Sequence, residues 1–169
     1  MAKFTVKKLI YVSFFIALEI VLSRFFSIST PLVKIGFGFV PIALCAMLYG
    51  PIYAGVAGAL ADFIGATLFP IGAYFPGFTL SAALTGVVFG IFLYRRKGNF
   101  AQLAGAVSIN CLGISLLLST LWLTIITGTP FITLLPTRIV QNLIMIPVQF
   151  ITLKVVQKIH SNFSNLQSA

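Results

Sequence analysis

Apolar stretches of roughly 20 residues follow one another almost without interruption along this chain, and that constrains the fold more than any motif. Only 8% of residues are charged and only two are acidic, whereas a soluble domain carries about a quarter charged residues. A bilayer admits helices or a closed barrel, because it offers no water to backbone N–H and C=O groups. Barrel strands would alternate apolar and polar residues, and runs such as Leu112–Leu118 do not. The expected fold class is therefore an all-α integral membrane protein.

Six spans are expected, at about 7–26, 37–48, 52–69, 77–94, 101–127 and 133–159, forming one domain over residues 1–169. The second is short for a full crossing. Either Ile35–Val40 extends it, or the preceding loop folds into the protein at membrane depth. Tyr49-Gly50-Pro51 is a turn signal between the second and third spans. The apolar run from Leu9 continues into Glu19 and Arg24 without a small-residue cleavage site, so the first span is expected to be retained.

The basic residues sort by side. Lys3, Lys7, Lys8, Arg95, Arg96, Lys97, Lys154 and Lys158 fall at span ends that open on one face, which the excess of Lys and Arg marks as cytoplasmic. An even number of spans then places both termini in the cytoplasm. The net charge of +9 is thus topological, and nucleic-acid binding is not expected. Three basic residues fall on the outer side: Arg24, Lys34 and Arg138. Positive charge there invites an anionic ligand, although Arg24 and Lys34 can also act as interfacial anchors.

Asp62 lies in the outer half of the third span, where a carboxylate needs a partner or a cavity. It is expected either to pair with Arg24 or Arg138, or to accept N–H donors from a ligand. Arg138 shares a helix face with Gln141 and Asn142. Glu19, near the middle of the first span, has several possible partners. Aromatic residues gather at the outer ends, among them Tyr74, Phe75 and Trp122, as an interfacial belt or as a stacking surface. Small residues recur every four positions at Ala57, Ala61 and Gly65, at Ala82, Gly86 and Gly90, and more weakly at Ser13 and Ala17, a spacing that lets helices approach closely. Cys45 and Cys111 lie in apolar segments and are expected to be buried free thiols. The single histidine, His160, rules out H-E-x-x-H. No G-x-S-x-G or Walker loop occurs either, so no enzyme, metal site or cofactor is expected.

The segments Ser23-Arg24-Phe25-Phe26-Ser27-Ile28-Ser29-Thr30-Pro31 and Lys34-Ile35-Gly36-Phe37-Gly38-Phe39-Val40-Pro41 carry a specific likeness, continued by Gly50-Pro51, Ala61-Asp62 and Phe69-Pro70-Ile71-Gly72-Ala73-Tyr74-Phe75-Pro76-Gly77-Phe78-Thr79-Leu80-Ser81. Over about residues 15–95 the chain resembles the folate-specific substrate-binding (S) components of energy-coupling factor transporters. The resemblance implies six helices in the plasma membrane of a bacterium, surrounded by lipid, with both termini cytoplasmic. It implies capture of one vitamin from outside and partnership with a transmembrane coupling (T) subunit and two cytoplasmic ATPases. It also implies that the S component topples to release its cargo, with a small-residue surface, here Ser13 and Ala17, against the T subunit. Families of this kind often carry an alanine pair at that place, from which Ser13 departs mildly.

Folate suits the residues on that reading. Arg24, Lys34 and Arg138 match the carboxylates of its glutamate tail, with Asn142 on the same face as Arg138. Asp62 matches adjacent N–H donors on the pterin, and Tyr74, Phe75 or Trp122 can stack on its rings. Two alternatives stand beside it. One is the same fold with another vitamin, of which cationic thiamine fits the outer basic residues poorly. The other is an integral membrane enzyme acting on an anionic lipid.

Overall fold

The computed structural model describes residues 6–29, 34–70, 73–94 and 99–167, with side chains described for 6–27, 36–70, 73–94 and 99–158. Six helices follow in order: α1 (Val6–Arg24), α2 (Phe39–Tyr49), α3 (Pro51–Leu68), α4 (Pro76–Leu93), α5 (Phe100–Thr127) and α6 (Phe131–Gln167). Between α1 and α2, β1 (Ser27–Ser29) pairs antiparallel with β2 (Lys34–Gly36), with Ser27 opposite Gly36.

Four helices, α3 to α6, are long and apolar enough to cross a membrane. The 19-residue α1 is also long enough, but carries Lys7, Lys8, Glu19 and Arg24. With 11 residues, α2 rises only about 16 Å and cannot span about 30 Å of hydrocarbon by itself. Nor does Ile35–Val40 extend it as one helix: residues 34–36 belong to the hairpin, and helix begins at Phe39. The connection between α1 and α2 thus folds back as a short sheet. Ser27 Oγ donates to the Ser23 carbonyl at 2.6 Å, which ties this sheet to the last turn of α1.

Gly50 makes the sharp reversal between α2 and α3. Its φ of 91° is a left-handed value that residues with a Cβ rarely adopt, and Pro51 opens α3, where a missing N–H costs nothing. The small-residue stripes of α3 and α4 are consumed by packing on each other. A Cβ at Gly86 would run into the Ala54 backbone, and one at Gly58 would stand 2.5 Å from the Ala82 carbonyl oxygen. The Ser13 and Ala17 stripe differs, because both residues are exposed on the outside of α1.

In α5 the middle, Ile109–Leu118, is wound as a π-helix. Each backbone bond there reaches one residue further back, so the helix widens and re-aims its side chains. Gly128, at a φ of 66°, ends α5. At 37 residues, α6 continues past the end expected near residue 159. Pro136 and Pro147 lie inside it; Pro147 leaves the Leu143 carbonyl without its usual helical donor. The core is small and apolar: Ala43, Cys45, Ala46, Ala54, Phe89 and Leu153 are fully buried, and both cysteines are free. Large apolar side chains such as Leu9, Ile52, Leu121, Leu143 and Ile151 instead cover the outside, as a protein solvated by lipid requires.

Candidate functional site

The helices and the hairpin line a partly open cavity of about 650 Å³, within the size range of sites for small organic ligands. Its polar groups come from five helices.

Arg24, at the end of α1, and Asp62, six residues before the end of α3, face each other across one wall. Arg24 Nη2 is 3.9 Å from Asp62 Oδ1, near enough for ionic attraction and too far for a hydrogen bond. Of the two partners expected for Asp62, the structure thus supplies Arg24. Gly65, one turn beyond Asp62, makes room for the guanidinium, since a Cβ there would be 2.9 Å from Arg24 Nε. That Nε is buried and has no hydrogen-bond partner among the described residues. The other carboxylate oxygen, Asp62 Oδ2, accepts from Thr79 Oγ1 at 2.9 Å, and the Tyr74 hydroxyl lies 3.3 Å from the same Thr79 oxygen. The pair is therefore braced on one side and has free hydrogen-bonding capacity on the other.

Tyr74 and Phe75 lead into α4 and form an aromatic flank. Tyr74 packs edge-on against Phe63 at 5.8 Å, and Phe75 lies 5.6 Å from Trp122. Trp122 itself is not among the residues lining the cavity. Its ring packs over Gly77, where a Cβ would come within 2.5 Å, and its Nε1 donates to Ser81 Oγ at 3.1 Å. The indole thus backs the wall and leaves the face to Phe75.

On α6, Arg138 lines the cavity at 8% exposure and forms no salt bridge among the described residues. Arg138 Nη1 donates to Gln141 Oε1 at 2.9 Å, while its buried Nε has no partner there. A guanidinium desolvated against a neutral amide is far better satisfied by an anion. Asn142 does not line the cavity. Its Nδ2 donates to the Arg138 backbone carbonyl at 2.8 Å, which directs the amide to its own helix. Lys34 belongs to β2, and its side chain lies outside the described residues.

The cavity also holds groups that the sequence did not single out. Thr85 on α4, Asn110 on the π-helical part of α5 and Gln149 on α6 line the cavity and bond to one another. Neutral polar residues on long apolar helices give no charge anomaly, and the only available signal was their isolation among apolar neighbours. Glu19 also lines the cavity, close to Gly38 and Ser23. Together these walls suit a partly flat, partly anionic ligand.

Residues 7–157 match the family described as ECF transporter, substrate-specific component. The chain belongs to this family.

The S component is 45% identical over 148 residues to a folate transporter, FolT, of Clostridium novyi (strain NT), covering 88% of this chain and 86% of the relative. It is 29% identical over 153 residues to a folate transporter, FolT, of Leuconostoc mesenteroides subsp. mesenteroides, covering 87% and 82% respectively. Its fold superposes with a TM-score of 0.87 on the crystal structure of FolT bound with folic acid, at 33% identity, over 91% of this chain and 94% of the other. The S component is thus a multi-pass membrane protein whose relatives are named as transporters and not as enzymes.

Proposed function

We propose that this S component captures folate from outside the cell and delivers it inward as part of an importer with a T subunit and two cytoplasmic ATPases. The observation that carries this reading is the buried guanidinium of Arg138, which forms no salt bridge among the described residues and lines the same cavity as Arg24, in a chain 45% identical to a folate transporter. Folate carries two carboxylates on its glutamate tail. Arg138 receives one of them through charge-assisted hydrogen bonds, and Arg24 contributes with Lys34 to the field that draws the tail in. Asp62, braced by Thr79, accepts N–H donors from the amino-pyrimidine edge of the pterin. Contact with the ring faces falls to Tyr74 and Phe75, with Trp122 as the support behind Phe75 and Asn142 as the support beneath Arg138.

The eight basic residues at the other span ends orient the protein with both termini in the cytoplasm. The outer hairpin and the 73–76 approach to α4 then face the medium. Ser13 and Ala17, exposed on α1, form the small-residue surface for the T subunit.

Reconstitution tests the whole reading. Proteoliposomes holding this chain with the T subunit and both ATPases of the same bacterium are expected to accumulate radiolabelled folic acid only with ATP on the ATPase side. ATP-driven uptake of a different vitamin with no uptake of folic acid would overturn it.

A further inference from the structure

We propose that Gln149 is a specificity-determining residue whose hydrogen-bonding polarity is reversible, so that its end of the cavity accepts a ligand ring nitrogen with or without its proton.

Three heavy-atom distances define the relay. Thr85 Oγ1 and Asn110 Oδ1 are 2.9 Å apart, Asn110 Nδ2 and Gln149 Oε1 are 3.0 Å apart, and Cys111 Sγ is 3.5 Å from Gln149 Oε1. Asn110 and Gln149 are each only 5% exposed, and both line the cavity. The second terminal atom of the Gln149 amide has no partner among the described residues. It is the hydrogen-bonding group left for a ligand at this end.

The direction of the relay is set by one proton. Thr85 Oγ1 is also 3.0 Å from the Ser81 carbonyl oxygen, and a hydroxyl has a single hydrogen to share between Ser81 and Asn110. When the proton goes to Asn110, each amide donates onward and Gln149 turns its NH2 to the cavity. When it goes to Ser81, both amides rotate by half a turn. Asn110 then donates to Thr85 Oγ1, Gln149 donates to Asn110, and the Gln149 carbonyl faces the cavity. Oxygen and nitrogen of an amide occupy the same space, so the two arrangements share one set of atomic positions. Every link is satisfied in both, and the Cys111 sulfur serves as weak donor in the first and weak acceptor in the second.

A floor of this kind fits a heterocycle whose edge changes between acceptor and donor. The inference rests on the folate reading, which supplies such a ligand class. Folic acid has a bare ring nitrogen at N8, whereas 7,8-dihydrofolate carries N8–H and differs otherwise only at C7. With Asp62 on the amino edge of the pterin, one flank of the ring system carries N1 and N8, and it is this flank that we assign to Gln149. Fixed donors or acceptors would favour one oxidation state; a reversible amide serves both.

The test is anaerobic calorimetry of the detergent-purified chain with folic acid and with 7,8-dihydrofolate, in wild-type protein and in Gln149→Met and Gln149→Glu. Wild-type affinities for the two are expected to agree within about threefold. Gln149→Met, which fills the same space without hydrogen bonds, is expected to lose about tenfold for both. Gln149→Glu, an acceptor that cannot donate when ionised, is expected to lose at least about tenfold more for folic acid than for 7,8-dihydrofolate. Retained competition by p-aminobenzoylglutamate, which has no pterin to reach the floor, verifies that each variant is folded. Wild-type affinity for both ligands in Gln149→Met overturns the proposal, as does an unchanged ratio in Gln149→Glu. Wild-type protein that binds neither pterin overturns the folate reading and this inference together.

Discussion

Gly65 and Arg24 share a space that holds only one side chain: a Cβ at position 65 would stand 2.9 Å from Arg24 Nε. The absence of a side chain on α3 is what allows the guanidinium to lie one turn from Asp62. Gly65→Ala is expected to displace it and to weaken folic acid binding by about tenfold, the worth of one hydrogen bond to a charged group. The protein should still elute as a monodisperse species in detergent. Calorimetry on the purified variant measures the effect, and wild-type affinity would show that the guanidinium position does not matter.

Asp62 separates two roles that charge alone would merge. In Asp62→Asn the Thr79 contact can persist through the amide oxygen, but the acceptor for paired N–H donors is lost. Folic acid affinity is expected to fall by about 10- to 100-fold, as for loss of a charge-assisted hydrogen bond. Equal affinity for folic acid in the variant would remove Asp62 from the pterin contact.

Arg138 is assigned to the glutamate tail, and a shortened ligand isolates that assignment. Arg138→Gln is expected to weaken folic acid by about 10- to 100-fold while leaving pteroic acid, which lacks the glutamate, within about twofold of its wild-type affinity. Parallel competition assays with the two ligands distinguish the cases. An equal loss for both would mean that Arg138 supports the cavity as a whole.

The parts of this site that could be read from sequence are those where physical cost is concentrated. Asp62, Arg24 and Arg138 stand out because charge within or beside a membrane span needs a partner, and the cavity brings all three to its walls. Tyr74 and Phe75 could be anticipated from the aromatic residues gathered at the span ends. Gly50, followed by Pro51, marks a turn that only a left-handed residue completes easily. What stayed hidden depends on register. Trp122 was as good a stacking candidate as Phe75, until the packing over Gly77 and the bond to Ser81 placed it one layer back. Asn142 shares a face with Arg138, yet its amide serves the Arg138 carbonyl. The Thr85, Asn110 and Gln149 relay passes through the π-helical part of α5, and no hydrophobic pattern announces a change of one residue in backbone hydrogen bonding.

Ser13 and Ala17 supply a test that leaves the cavity untouched. Both are exposed on the lipid-facing side of α1 and neither lines the cavity. Ala17→Trp is expected to abolish co-purification with the T subunit while folic acid affinity of the isolated chain stays within about twofold, because close helix approach tolerates only small side chains. Normal assembly of the variant would move the docking surface elsewhere.

The central claim is that this cavity selects folate, and isothermal titration of the purified wild-type chain measures that directly. Folic acid is expected to bind one-to-one with sub-micromolar affinity, with no detectable heat from thiamine, riboflavin or biotin. Saturable binding of one of those vitamins, with none for folic acid, would contradict it.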